Sequence, residues 1–291
     1  MKICSTIAEV RAACRAARAS ADRLGLVPTM GALHEGHLSL IRAAKAQCDA
    51  VAVSIFVNPK QFSPTEDLSK YPRQFDRDSQ LLEKEGVDIL FAPAVEEIYP
   101  ADLASDGQIL DKDATSVWVE GLSERLDGRS RPGHFRGVTT VVTKLFHIIA
   151  PDAAFFGQKD AAQLAIIRRM VRDLNFPVEI VACPIVRELD GLAMSSRNAY
   201  LNGEERARAL VLHRALEQAQ LKFQAGERVV ARLISATKEV FATQPQVVLD
   251  YCEIVSPDTL DPVEQVLRTS LLAVAAYVGK TRLIDNLILN P

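Results

Sequence analysis

The stretch Leu24–Gln47, LGLVPTMGALHEGHLSLIRAAKAQ, passes from strand to turn to helix. Leu24–Thr29 is apolar enough for a buried strand, Pro28–His37 is a turn holding two glycines, and His37–Gln47 repeats apolar residues at helical spacing. A strand running through such a turn into a helix is the first half of a βαβ unit. The next run agrees: Ala50–Val57, AVAVSIFV, is almost continuously apolar, as a strand covered on both faces requires. Gln74–Glu85 reads as helix, Val87–Ala92 as strand, Thr139–Ile149 as helix, Asp152–Phe156 as strand, Ala161–Leu174 as helix and Val178–Cys183 as strand. This alternation predicts an α/β fold with a doubly wound parallel sheet.

Past Cys183 the pattern changes. Gly203–Gly226 and Glu227–Thr243 are long helical patterns, followed by strand-like runs at Val247–Val255, Ser270–Val278 and Arg282–Leu289. Helices followed by consecutive strands predict a smaller C-terminal α+β domain with an antiparallel sheet. The expected division is 1–185 and 186–291, with the junction inside Val186–Asn202. Ala101–Ala114, polar and carrying four aspartates, reads as a surface excursion.

Composition sets the outer limits. The 291 residues allow one large or two moderate domains, and 48% hydrophobic with 24% charged residues is ordinary for a globular chain. Lys+Arg 34 against Asp+Glu 37 leaves a net charge of -3, without the basic excess of a nucleic-acid coat. Cys4, Cys14, Cys48, Cys183 and Cys252 show no C-x-x-C spacing, so neither a disulfide framework nor a structural zinc site is expected, and the expected setting is a reducing cytoplasm. The longest apolar runs, Val51–Val57 and Ser270–Val278, fall far short of the roughly 20 residues of a membrane-spanning helix. Glu9, Arg11 and Arg15 deny the N-terminus an uncharged signal core.

Several short segments carry chemistry. Pro28–His37 lies at the carboxyl end of a parallel strand, where open α/β sheets bind ligands. Gly31 and Gly36 permit close backbone approach, amides at the helix start favour an anion, and His34 and His37 add donors for phosphate oxygens. Two histidines three apart do not match H-E-x-x-H, and His134, His147 and His213 add no Cys/His cluster, so zinc is not expected. Asn58–Phe62 offers amide side chains suited to hydroxyl and carboxylate groups. Arg129–Gly137 gathers cations, Gly157–Asp160 brings Lys159 to a helix start, and Met194–Asn198 supplies Ser195, Ser196 and Arg197 in a loop. Gly279-Lys280-Thr281 mimics the end of a P-loop, but Val274 stands where its first glycine should be, and no G-x-G-x-x-G occurs. The segments converge on a polyphosphate substrate.

Taken in order from Pro28 to Leu201, PTMGALHEGH, SIFVNPKQF, YPR, RPGHFRGVTTVVTKLF, FFGQKDAAQL and GLAMSSRNAYL resemble the pantoate–β-alanine ligase (pantothenate synthetase) family, within the cytidylyltransferase-like nucleotidyltransferases. Its H-x-G-H signature is His34–His37 here. The resemblance implies a Rossmann-like sheet with a C-terminal lid. It also implies ATP-dependent condensation of pantoate with β-alanine through an enzyme-bound pantoyl adenylate, releasing pyrophosphate and AMP, with Mg²⁺ beside ATP. Carried over by motif, ATP is met by Met30, Gly31, Ala32, Leu33, His34, Glu35, Gly36 and His37, by Gly157, Gln158, Lys159 and Asp160, and by Val186, Met194, Ser195, Ser196 and Arg197. Gln61 and Gln163 hold pantoate, and Gln61 also meets β-alanine. The catalytic set is His37, His34, Lys159 and Arg197, and Asp78 is the expected metal-associated acid, through water. A homodimer is implied, with the helix after Arg136 and a strand at Ser116–Val119 as candidate surfaces; no nucleic acid or membrane partner is.

Two positions depart from the family pattern. Arg77 stands among the acids expected after YPR, and Asp127 replaces a glutamate before the RPGHF segment. The chemistry also constrains the roles. Pantoate's carboxylate is ionised at neutral pH, so attack on the α-phosphorus needs no general base. His37 is therefore expected to act mainly by hydrogen bonding to phosphate. The competing reading is another H-x-G-H nucleotidyltransferase with a phosphate acceptor, which would not require Gln61 and Gln163 together.

Overall fold

The computed structural model describes residues 1–63, 68–99, 102–103, 109–110 and 115–291. In chain order its first elements are β1 (Lys2–Cys4), α1 (Ile7–Arg18), β2 (Leu24–Thr29), α2 (Glu35–Gln47), β3 (Ala50–Ile55), α3 (Phe75–Lys84), β4 (Ile89–Phe91) and α4 (Val95–Ile98). After the short strands β5 (Asp102–Leu103) and β6 (Ile109–Leu110) come α5 (Asp127–Ser130), α6 (His134–Ile149), β7 (Ala153–Gly157), α7 (Ala161–Asp173) and β8 (Glu179–Cys183). The C-terminal part holds α8 (Gly203–Ala209), α9 (Val211–Gln224), α10 (Val230–Ala242), β9 (Val247–Val255), β10 (Ser270–Val278) and β11 (Thr281–Leu289).

Six strands form one sheet in the order β1-β4-β3-β2-β7-β8, and every pairing in it is parallel. Alternate residues of each central strand enter opposite cores, which explains the continuous apolar runs. Leu26 and Ala52 pack with α1, α6 and α7, whereas Val27 and Val53 pack with α2 and α3. The order reverses between β2 and β7, so a crevice opens at their carboxyl ends.

The second sheet, β11-β10-β9, is antiparallel. β10 is buried on both faces: Leu271, Ala273 and Ala275 join the core of the large sheet, while Leu272, Val274 and Ala276 pack under α9 and α10. The small sheet is thus a shared wall between the two parts.

Several boundaries differ from the sequence expectation. β1 and α1 lie outside that expectation, since β1 has three residues and α1 buries only Val10, Ala13 and Cys14. The 203–226 helical pattern is two helices that meet at Leu210. α6 begins at His134, five residues early, behind Gly133 in the left-handed region at φ 83°. Ser116–Val119 is not a strand; there the Val117 amide donates to Thr140 and its carbonyl accepts from Thr139, which ties the segment to α6. The apolar side chains of α6 are buried in the chain's own core, so that helix does not offer the apolar dimer surface expected of it. Apart from the paired dipeptides β5 and β6, the 101–114 excursion lies outside the described residues.

Candidate active site

The crevice at the β2/β7 reversal contains an inner chamber of about 230 Å³. It opens into a cleft of about 1240 Å³ between the large sheet and the β10–β11 hairpin. Arg131, His134, Lys159, Asp160, Ser195 and Arg197 line both. Four sequence motifs meet in the chamber. Met30, His34, Gly36 and His37 follow β2, and Gln61 follows β3. Gly157, Lys159, Asp160 and Gln163 follow β7, and Val186 and Met194 to Arg197 come from the loop after β8. Gly31, Ala32, Leu33, Glu35, Gln158 and Asp78 do not line it.

The reason lies in how the turn after β2 is held. Gly31 and Ala32 both adopt positive φ, 84° and 50°, which doubles the chain back. Asp78, fully buried on α3, fixes that bend: its two oxygens accept from the amides of Ala32 (2.8 Å) and Leu33 (2.9 Å). Arg77 completes the clamp by donating to the Leu33 carbonyl at 3.1 Å. Burial pushes the Asp78 carboxyl up, against the pull of those two amides. These two bonds give Asp78 the task of holding the turn. Leu33 turns into the core and Glu35 pairs outside with Arg42.

The expected cradle of free amides is likewise replaced. The His34 amide donates to His37 Nδ1 at 3.3 Å, and the Gly36 amide donates to His34 Nδ1 at 3.2 Å. An Nδ1 that accepts leaves the proton of a neutral imidazole on Nε2. The rings lie 4.1 Å apart, centroid to centroid. Loss of water, and then the Lys159 cation, push His34 down to about 4. Loss of water, and then His34 itself, push His37 down to about 3. At neutral pH the turn therefore presents two uncharged N–H donors.

Gln61 is oriented from behind. Tyr99 donates to Asn58 Oδ1 at 2.9 Å, which turns the Asn58 amide so that Nδ2 donates to Gln61 Oε1 at 3.1 Å and to the Gly137 carbonyl at 3.1 Å. With its oxygen occupied, Gln61 carries its NH₂ forward beside Met30. The close fit of α6 against this turn depends on Gly137, where an added Cβ would lie 2.2 Å from the Lys60 carbonyl oxygen. Val138, Val141, Val142 and Leu145 of α6 then form an apolar wall of the chamber.

Across the chamber, Lys159 Nζ lies 3.4 Å from Asp160 Oδ1. Burial raises the Asp160 pKa, but Lys159 and Arg197 outweigh it and hold that carboxyl below its usual range. Ser195 caps the turn that carries Arg197, accepting from the Arg197 amide at 3.3 Å, and Tyr71 of the YPR segment meets Ser196 Oγ at 3.3 Å. His134 bridges Arg131 and the Gln61 carbonyl, at 2.9 and 2.8 Å. Arg131, His134 and the α6 wall lie within the RPGHFRGVTTVVTKLF run, which did not single them out as site residues; Asn286 of β11 carried no motif.

A family model described as pantoate-beta-alanine ligase matches residues 2–288. The chain belongs to the pantoate–β-alanine ligase family. Its relatives include proteins named pantothenate synthetase from Koribacter versatilis, 57% identical over 99% of this chain and 96% of that one, and from Acidobacterium capsulatum, 58% identical over 99% and 97%. Among solved structures, the pantothenate synthetase of Thermus thermophilus superposes with a TM-score of 0.91 at 46% identity, covering all of both chains. The Francisella tularensis pantoate-beta-alanine ligase, described as complexed with beta-gamma ATP and beta-alanine, gives 0.80 at 33% identity over 99% and 97%. Family membership makes this chain a ligase that forms the amide bond between pantoate and β-alanine.

Proposed function

We propose that the chain activates pantoate as an acyl adenylate, with ATP as co-substrate, and then transfers the pantoyl group to β-alanine. In the first step a pantoate carboxylate oxygen bonds to the α-phosphorus, the bond from that phosphorus to the bridging oxygen breaks, and pyrophosphate leaves. In the second the neutral amine of β-alanine bonds to the acyl carbon, AMP leaves, and the nitrogen loses a proton. Neither anion of the first step needs a base, so the site must align them and stabilise charge on the phosphates. The observation that carries the reading is the pair of neutral Nε2–H donors at His34 and His37, set beside Lys159 and Arg197 in the chamber that also holds Gln61 and Gln163. Gln61 NH₂ and Gln163 suit pantoate's carboxylate and hydroxyls, and the α6 wall suits its geminal methyls. Gln61 also lies where β-alanine would enter. Met30, Gly36, Gly157, Val186, Met194 and Ser196 surround the nucleotide, with Lys159 and Arg197 on its phosphates.

Mg²⁺ is part of the proposal. Among the described residues no three His, Cys, Asp or Glu side chains gather as a metal cage. An ion carried by ATP needs only one or two carboxylates besides the phosphates. Asp160, kept ionised in the cleft, is the side chain that would hold it, and the ion would neutralise phosphate charge. We assign 1–185 to nucleotide and pantoate binding and 186–291 to a lid, in a homodimer of the cytoplasm. No helix among the described residues is long and apolar enough to cross a membrane.

The test is release of AMP and pyrophosphate from ATP, required to depend on both pantoate and β-alanine, with pyrophosphate exchange supported by pantoate alone. His37→Ala should lower the exchange rate by about 10²–10³-fold while pantoate binding changes little. Equal losses in both, or exchange that needs β-alanine, would overturn the reading.

A further inference from the structure

Asn286 belongs to β11 in the small sheet, yet every hydrogen bond of its side chain goes to the turn after β7. Its Nδ2 donates to the carbonyls of Gln158 and Lys159, both at 2.9 Å, and its Oδ1 accepts from Gln158 Nε2 at 3.3 Å. The residue is 3% exposed. Two carbonyls facing the nitrogen and one amide facing the oxygen allow a single orientation of the side chain. Its own amide donates to Asp285 Oδ1 at 2.8 Å, and Asp285 holds Arg187 bidentately at 2.6 and 2.9 Å. Adjacent β11 residues thus anchor both the turn bearing Lys159 and the loop leading to Arg197.

The turn after β7 has little support of its own. Gly157, at the start of its 3₁₀ segment, cannot cap, and Asp160, at the start of α7, makes no side-chain capping bond. We propose that Asn286 is a positioning residue for Lys159, fixing from the small sheet the backbone that aims the Lys159 ammonium at the substrate phosphates. This rests on the phosphate role given to Lys159 above. A small rotation about the 158–159 backbone swings a long side chain through an ångström or more, enough to cost up to about 10²-fold in rate.

The experiment is a double-mutant cycle on pantoate-dependent pyrophosphate exchange, using full-length Asn286→Ala, Lys159→Ala and the double variant, with thermal midpoints recorded for each. Asn286→Ala should lower the maximal exchange rate about tenfold with little change in the pantoate KM, and should cost less than twofold further once Lys159 is alanine. A structural role alone would multiply through both backgrounds, and a tenfold loss in each overturns the proposal. If Lys159→Ala alone is inactive while Asn286→Ala keeps wild-type exchange, the positioning role fails and the reading of Lys159 stands. If Lys159→Ala keeps wild-type exchange, that reading fails and the positioning role with it. Should Asn286→Ala not fold, Asn286→Asp, of equal size but setting a carboxylate against two carbonyls, takes its place in the cycle with the same expectations.

Discussion

The turn at 30–37 and the turn at 157–160 both leave central parallel strands and line the same chamber, but they are supported from opposite directions. The first is held inside its own domain: Asp78 and Arg77 grip its bend from α3, and its two histidines bond to their own backbone. The second lacks side-chain caps and is held by Asn286 of the other sheet. The difference separates what a domain can organise alone from what requires both. Donors that need only orientation are built locally. The backbone that carries the Lys159 cation is instead bonded by the small sheet that forms the other wall of the cleft.

The sharpest way to break that distinction lies at the junction itself. Arg282 of β11 donates to Asp127 of α5 at 2.7 Å and to Asp250 of β9 at 3.0 and 2.8 Å, with side chains only 14%, 10% and 21% exposed. Arg282→Met would strand two carboxylates, costing about 3–5 kcal/mol, which is roughly 10 °C in thermal midpoint. Hydrogen exchange should speed up in 127–130 and β11 and stay unchanged in 30–37. Equal loosening of both would show that the first turn is not locally held. The pair also gives Asp127 its place: the shorter acid meets Arg282 and Tyr251 at the junction, on the wall of the cleft.

A smaller effect is expected from the local clamp. Asp78→Asn keeps the shape but has one acceptor oxygen for two amides, so one buried N–H is left unmet at a cost of about 1–3 kcal/mol. Faster exchange should be confined to Ala32 and Leu33. Spread of that change to 157–160 would argue that the two turns move as one unit.

The two modes of support also differ in how far the sequence reveals them. β2, α3, α7 and the three C-terminal strands could be read closely, because each is a continuous run whose period reports its own burial. His34 and His37 could be found because glycines and a strand-to-helix switch mark such turns. What stayed hidden was relational. Nothing in DRDSQ says that Asp78 turns inward to two amides while Asp76 stays outside. Asn286 sits in RLIDNLIL like any polar residue of an alternating strand, and its partners lie about 130 residues away. β10 read as continuous apolar sequence without disclosing that it separates two cores. Contacts between distant segments leave no period, and these are the contacts that set the second turn.

The smallest expected effect is also the most discriminating for the first turn. If His34 and His37 are neutral Nε2–H donors, lowering the pH from 8 to 6 should leave both uncharged. The unfolded chain takes up protons near 6.5 whereas the folded chain does so only near 4 and 3. Between those limits the unfolded state binds more protons, so stability should be level above pH 7.5 and fall as the pH drops below 6.5. Histidine Cε1–H resonances followed by NMR supply the direct measurement, and a midpoint near 6.5 for either ring would remove the neutral-donor argument. Lys159→Ala refines the comparison between the turns. Loss of water is the larger influence on His34 and Lys159 the lesser, so the variant should raise the His34 midpoint without bringing it to 6.5. A return to 6.5 would mean that the second turn, not the local packing of the first, keeps that histidine neutral.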